Sequence, residues 1–350
     1  MSKIWARAKW LIYALGGGWG HLNRAIALAR VAVAHADIHI LTNSLYQHKV
    51  GPLQERIYLH SIDFAASLVD ACEQAQQAIL QTSWDCVIVD TFPRGLGGEL
   101  VAMLPRITCP KILIHRDLRP AYIHQKAIVP LVAEHYSLIL VPGEQGATWL
   151  TNLPQTVRTP PWLIRSDTEL PDLRIVYSWL NLTLSDYRPI VVVLAGGRSE
   201  EQSWYGLVTQ ALAKHFPALR VRCIAPSRPE HCPQELLVDH YPAIECLMAA
   251  HFVVGSGGYN TVSECRALSV PLIARPFSRL YDRQLMRLTY TRLQGAEIIP
   301  VTTLDDVITA VDYLLQTERL PPHRRIRFTN GVQPALKAIR ATLGRRSRMQ

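Results

Sequence analysis

Apolar runs recur along the chain at 9–15, 37–42, 56–62, 84–90, 111–115 and 137–141. They return in the second half at 190–194, 219–225, 251–255, 272–275 and 296–300. Most are rich in Val, Ile and Leu with little polar alternation, and glycine, proline or polar turns bound them. That pattern predicts strands buried on both faces. Between them lie stretches with apolar residues at helical spacing, among them 22–33, 95–103, a helix starting near Glu201, and 332–343. Strand and helix alternating twice over predicts two parallel sheets, each covered by helices. The stretch from Thr159-Pro160-Pro161 to Arg188-Pro189 is rich in proline and polar residues and reads as the connection between the halves. The expected division is a first domain over 1–165, a connection over 166–188, a second domain over 189–330, and a terminal helix with a basic tail over 331–350.

At 350 residues and 49% hydrophobic content the chain can bury two cores of ordinary size. Its seven cysteines are odd in number and include no Cys-x-x-Cys pair, which predicts free thiols in a reducing compartment. The apolar segment 10–15 is short and runs into glycines, not into a cleavage site. No run approaches transmembrane length, so a cytoplasmic protein is expected. The net charge of +9 gathers in Lys3, Arg7 and Lys9 beside Trp5 and Trp10, in 323–328, and in Arg345, Arg346 and Arg348. Such clusters suit either attachment to the anionic inner face of a membrane or a solvated basic surface. Nucleic acid is disfavoured, because no binding module surrounds them. There is no Asp-x-Asp pair and no metal-ligand spacing of histidines, so neither a metal nor a resident cofactor is expected.

Three glycine loops carry the candidate chemistry. In the second half, Gly255-Ser256-Gly257-Gly258 follows a buried run and opens a helix, where small residues let backbone N–H groups approach an anion such as a diphosphate. On that helix follow Asn260, Thr261 and, about one turn on, Glu264, whose carboxylate could accept from a vicinal diol such as ribose. A second loop, Gly196-Gly197-Arg198-Ser199, offers a guanidinium to phosphate or simply a charged turn. The third, Gly16-Gly17-Gly18-Trp19-Gly20-His21, is not a dinucleotide fingerprint. His21 stands where a third glycine is needed, and Thr42-Asn43-Ser44 replaces the acidic residue about 20 positions on. A helix start favours a neutral imidazole able to take a proton, which makes His21 either a general base or a packed cap. Asp90 and Asp117 close or follow strands and read as groups that orient His21 or an acceptor, or as helix caps.

Taken in order, Gly255-Ser256-Gly257-Gly258, Thr261-x-x-Glu264, Pro271, Arg275-Pro276-Phe277, Asp282-x-Gln284 and Gly295-Ala296 resemble the donor half of GT-B glycosyltransferases, in particular the MurG-like family that uses UDP-GlcNAc. Gly18-x-Gly20-His21-x-x-Arg24-x-x-x-Leu28-Ala29 is similar to the UDP-sugar hydrolases of PseG type. The resemblance implies two Rossmann-like doubly wound domains facing across a cleft, with an amino-terminal acceptor domain and a carboxyl-terminal donor domain. It implies that Ser256 and Gly257 hold a diphosphate, Glu264 the ribose, and Asp282 and Gln284 the sugar hydroxyls, with Gly17, Gly18 and Gly20 facing the diphosphate. The pattern departs where Arg283 separates Asp282 from Gln284. A UDP-sugar co-substrate and a metal-independent strategy follow from the same resemblance; a lone donor site acting directly on an acceptor hydroxyl implies single displacement and inversion, and attachment of the basic clusters to a membrane would give access to a lipid-linked acceptor. The residues leave three outcomes open: transfer, hydrolysis or epimerisation on the same fold, and nucleotide-sugar binding or assembly without turnover.

Overall fold

The computed structural model describes residues 7–144, 150–317 and 326–346. Lys3, Trp5, His323, Arg324, Arg325 and Arg348, counted above among the basic and aromatic clusters, lie outside the described residues. The chain divides into two compact units, residues 1–162 with 330–350, and residues 163–329.

The first unit runs β1 (Lys9–Tyr13), α1 (Trp19–Ala32), β2 (Asp37–Thr42), β3 (Ile57–Ser61), α2 (Leu68–Leu80), β4 (Cys86–Asp90), β5 (Lys111–Ile114), α3 (Pro120–Gln125), α4 (Ile128–His135), β6 (Leu138–Pro142) and β7 (Thr156–Thr159). All strand pairs are parallel, in the order β3-β2-β1-β4-β5-β6-β7. The central strands are buried along nearly their whole length, as continuous apolar runs require. The order reverses between β1 and β4, so the loops leaving these two strands part at the carboxyl end of the sheet.

The second unit holds α5 (Leu173–Trp179), β8 (Ile190–Leu194), α6 (Ser199–His215), β9 (Arg220–Ile224), β10 (Leu237–Val238), α7 (Ile244–Leu247), β11 (Phe252–Ser256), α8 (Tyr259–Leu268), β12 (Leu272–Arg275), α9 (Gln284–Leu293), β13 (Ile298–Pro300) and α10 (Leu304–Gln316). Its parallel sheet has the order β10-β9-β8-β11-β12-β13 and reverses between β8 and β11. Val191, Val193, Phe252, Val254 and Ile273 form its core with Tyr205, Val208 and Leu212 of α6 and Val307 and Val311 of α10.

Four expectations change. The stretch 166–188 is not a bare connection: it carries α5 and belongs to the second unit. Arg165 pairs with Glu245 at 2.6 Å, His240 meets the same carboxylate at 2.8 Å, and Trp179 stacks on His240 at 4.2 Å. The expected helix over 95–103 is a series of turns. Gly95 and Gly98 take positive φ there, and Glu99 accepts from the amides of Leu96 and Gly97 and from Tyr13 Oη instead of facing solvent. β7 and β10 arise from segments too polar or too short to read as strands. Trp10 is buried in β1, and Arg7 is held by the Val33 carbonyl and Asp37, so neither belongs to an exposed basic and aromatic patch. Among the described residues no helix is long and apolar enough to cross a membrane.

The chain closes with α11 (Val332–Arg346), which packs on α1, β6 and β7 of the first unit. The turn into it passes through Gly331, where a Cβ would strike the Pro160 carbonyl and whose N–H donates to Pro161 O at 2.8 Å. Ala335 and Ile339 are wholly buried. Ile339→Ala should cost about 2–4 kcal/mol in the unfolding of the first unit and leave the second unit's transition in place. Urea denaturation followed by residue-resolved hydrogen exchange separates the two.

Candidate functional site

At the switch point of the first sheet, α1 brings His21 against the end of β4. His21 Nδ1 lies 2.6 Å from Asp90 Oδ2, and the same carboxylate receives Arg24 Nε at 3.0 Å on Oδ1 and Arg24 Nη2 at 2.7 Å on Oδ2. Asp90 is fully buried and Arg24 nearly so. Burial alone would raise the Asp90 carboxyl, but Arg24 and His21 outweigh it and hold it far below the usual range, so it stays ionised. A carboxylate on Nδ1 fixes the ring proton there and leaves the Nε2 lone pair free to accept one. Phe92 flanks the imidazole at 5.6 Å between ring centroids.

The glycine loop is shaped around this ring. Gly16, at φ +153°, would drive a Cβ into Cδ2 and Nε2 of His21, so the edge that carries Nε2 lies against its backbone. Gly17, at φ +74°, lies beneath the Phe64 ring, and the N–H groups of Gly16 and Gly17 donate to Asn43 Oδ1 at 2.8 and 2.9 Å. Gly18 caps α1 with no side-chain hydrogen bond, and Gly20 lies in its first turn, half-buried. Gly16, Arg24 and Asn43 are site residues that sequence reading did not select. Arg24 was legible as the residue one turn past His21, and Asn43 as the polar end of the second strand. The need for glycine at 16 rests on its φ and on the position of the ring.

At the switch point of the second sheet, β11 ends in Ser256, Gly257 and Gly258, with Gly258 capping α8. Ser256 Oγ accepts from Gly258 N at 3.2 Å, and Gly257 packs on Gln284 and Leu288 of α9 so closely that a Cβ would have to displace them. Thr261 packs its methyl under Gly255, and Asn260 is half-buried with no side-chain partner among the described residues. Glu264 is 5% exposed and has no hydrogen-bond or ion-pair partner among the described residues. Burial pushes its carboxyl up to about 8. On the β8 side, Gly196 and Gly197 precede α6, and exposed Arg198, its N-cap, has no side-chain partner among the described residues. Gly197, at φ +102°, leaves room for Glu201, which takes a two-pronged bond from Arg279. Arg275 lies 4.7 Å over Trp204.

Asp282 and Gln284 have defined partners. Both Asp282 oxygens accept from Arg287, at 2.5 and 3.2 Å, and Arg287 also donates to Gly257 O at 2.9 Å. Gln284 Oε1 accepts from Phe277 N at 2.9 Å, which leaves its amide N–H groups as the donors available to a ligand. Asp117 is buried beyond the end of β5, beside the buried pair Arg116–Glu144 at 2.7 Å. It is not part of the His21–Asp90 contact. Among the described residues no cluster of three or more His, Cys, Asp or Glu side chains could hold a metal.

No family model matches the chain, and no curated protein does. Solved structures do. The glycotransferase of kitacinnamycin superposes with a TM-score of 0.62 at 14% identity, over 96% of this chain and 99% of its own. Os79 from O. sativa in complex with UDP gives 0.64 at 13%, over 95% and 100%. The spinosyn rhamnosyltransferase SpnG complexed with thymidine diphosphate gives 0.58 at 13%, over 96% and 94%. The chain has the GT-B fold. In GT-B terms both units are doubly wound parallel α/β domains, and each brings its glycine loop to the switch point of its own sheet.

Two outcomes follow. Gly16→Ala should turn the His21 ring away from its place and abolish its function with little loss of fold. A crystal structure of the variant, or the His21 ring signals in NMR, would report the displacement. The Glu264 carboxyl is raised in the folded state, so folding takes up a proton between the ordinary carboxylate range and about pH 8. Stability should therefore fall as pH rises through that window, by on the order of 5 kcal/mol at most. Glu264→Gln should flatten this fall in chemical denaturation between pH 5 and 9.

Proposed function

We propose that the chain is a metal-independent, inverting glycosyltransferase that moves a sugar from a nucleoside-diphosphate sugar, UDP-linked in the first instance, to a hydroxyl acceptor. The observations that carry this reading are the His21–Asp90 contact at the switch point of the first sheet and, in the second unit, the buried Glu264, with no partner among the described residues, beside two glycine loops. His21 Nε2 takes the acceptor's hydroxyl proton as its oxygen bonds to the anomeric carbon, and the bond from that carbon to the diphosphate oxygen breaks. A single displacement inverts the anomeric centre. The proton remains on His21, and the nucleoside diphosphate leaves with the electron pair.

In the second unit the leaving charge would be met by the starts of α6 and α8 and by Arg198. Fixed donors of this kind are each worth roughly 3–4 kcal/mol where water is excluded. Glu264 would take the ribose hydroxyls, and Gln284 a sugar hydroxyl through its free amide hydrogens, with Asp282 steadying the loop through Arg287. UDP-GlcNAc is the donor that the Thr261-x-x-Glu264 and Asp282-x-Gln284 pattern favours. Beside the His21 loop, Leu45 and Phe64 are exposed, with Phe64 over Gly17 and Leu45 N–H donating to Gly17 O at 3.3 Å. Apolar side chains beside a base suit an acceptor with an apolar body, which supports a lipid-linked alcohol at the inner face of a membrane.

The test is transfer from a panel of UDP- and TDP-sugars to long-chain alcohols with a chelator present, read by mass spectrometry and anomeric NMR. Transfer with inversion is expected, and His21→Ala should lose about 10²–10⁴-fold. Nucleotide release without acceptor would mean hydrolysis, and an unimpaired His21→Ala would remove the base.

A further inference from the structure

In the first unit one buried carboxylate serves two partners from the same helix. His21 and Arg24 lie three positions apart on α1, so both project from one face toward the end of β4. The Asp90 oxygens are not equivalent. Oδ1 is held by Arg24 Nε alone, whereas Oδ2 is shared between Arg24 Nη2 at 2.7 Å and His21 Nδ1 at 2.6 Å. Arg24 Nη2 also reaches Thr91 Oγ1 at 3.2 Å, tying the guanidinium to the residue after the strand. Thr91 sits at φ +72°, a conformation that a β-branched residue adopts only when its surroundings fix it. The carboxylate is thus pinned in plane by a guanidinium fork before the imidazole meets it.

We propose that Arg24 is the positioning residue of this site: its fork fixes the plane of Asp90, and the carboxylate in turn fixes the orientation and tautomer of the His21 ring. This rests on the reading of His21 as the base. A carboxylate held by one partner can turn about its Cβ–Cγ bond; held on both oxygens by a guanidinium it cannot, and the oxygen that meets Nδ1 keeps its place. The groups that face His21 bear this out. From β4 it meets Asp90, from the following loop the Phe92 ring, from the β1 loop the uncharged Gly16, and on its own helix Arg24 behind the shared oxygen. Glu99, a buried carboxyl of the same unit, is engaged by Tyr13 and by the amides of Leu96 and Gly97.

The experiment is ¹⁵N-histidine NMR of the unliganded, full-length protein, for the parent, Arg24→Gln and Arg24→Lys. It needs no sugar donor, so its outcome stands apart from that of the transfer assay. In the parent the His21 ring should carry its proton on Nδ1, as one fixed tautomer. In Arg24→Gln, whose carboxylate has lost the fork, the ring should spread over both tautomers. In a transfer assay the same variant should lose about 10–100-fold in kcat with KM little changed, a split that a merely structural loss would not show. Should Arg24→Gln fail to fold, Arg24→Lys decides, because it keeps the charge without the fork: a tautomer mixture between those of the parent and Arg24→Gln is expected. A His21 ring that keeps the parent's single tautomer in the folded variants would overturn the proposal.

Discussion

In a doubly wound parallel sheet, the crossovers on the two sides of the first strand run to opposite faces. The loops leaving the two central strands therefore separate and open a crevice at the carboxyl end of the sheet. That constraint acts twice in this chain, between β1 and β4 and between β8 and β11. The one glycine loop of the first unit and the two of the second all follow these strands. The core supplies the rigidity: continuous Val, Ile and Leu strands lock the register, so a side chain at a strand's last position is placed as firmly as the strand itself.

Asp90 shows how far placement and charge depend on each other. A fully buried carboxylate is costly unless it is paired and hydrogen-bonded. Here the cost is offset by a guanidinium from the neighbouring helix and an imidazole on the same oxygen. Glu264 is the opposite case, buried at the second switch point with no partner among the described residues, and burial raises its carboxyl. A ligand with paired hydroxyl donors would supply what the fold withholds. One unit thus carries a satisfied acid–base pair and the other an unsatisfied acceptor beside amide-rich loops, which is the division of labour that glycosyl transfer from a nucleotide donor calls for.

Much of this was legible in the residues. Strands such as 190–194 and 251–255 declare themselves because they are unbroken apolar runs stopped by glycine, and the glycine loops before α1, α6 and α8 follow from the same punctuation. The polar β7 and two-residue β10 give no such signal. Segment 95–103 misleads because its Leu and Met spacing is helical, while Gly95, Gly97 and Gly98 favour turns that Glu99 then fastens. The His21–Asp90 contact spans 69 positions. Both residues could be picked out as lying at strand or helix ends, but only the adjacency of β1 and β4 joins them. Trp10 misled for the complementary reason: beside lysine and arginine it reads as a surface aromatic, whereas β1 is a central strand buried on both faces from Trp10 onward.

The central claim is that the second unit holds a nucleoside diphosphate through its glycine loops and the buried carboxyl on α8. The most direct measurement is calorimetric titration of UDP and of thymidine diphosphate, without added metal, into the parent and Glu264→Ala. The account predicts binding to the parent that weakens at least about tenfold, or 1.4 kcal/mol, in the variant. No binding of either nucleotide to well-folded protein, or equal binding by both forms, would contradict it.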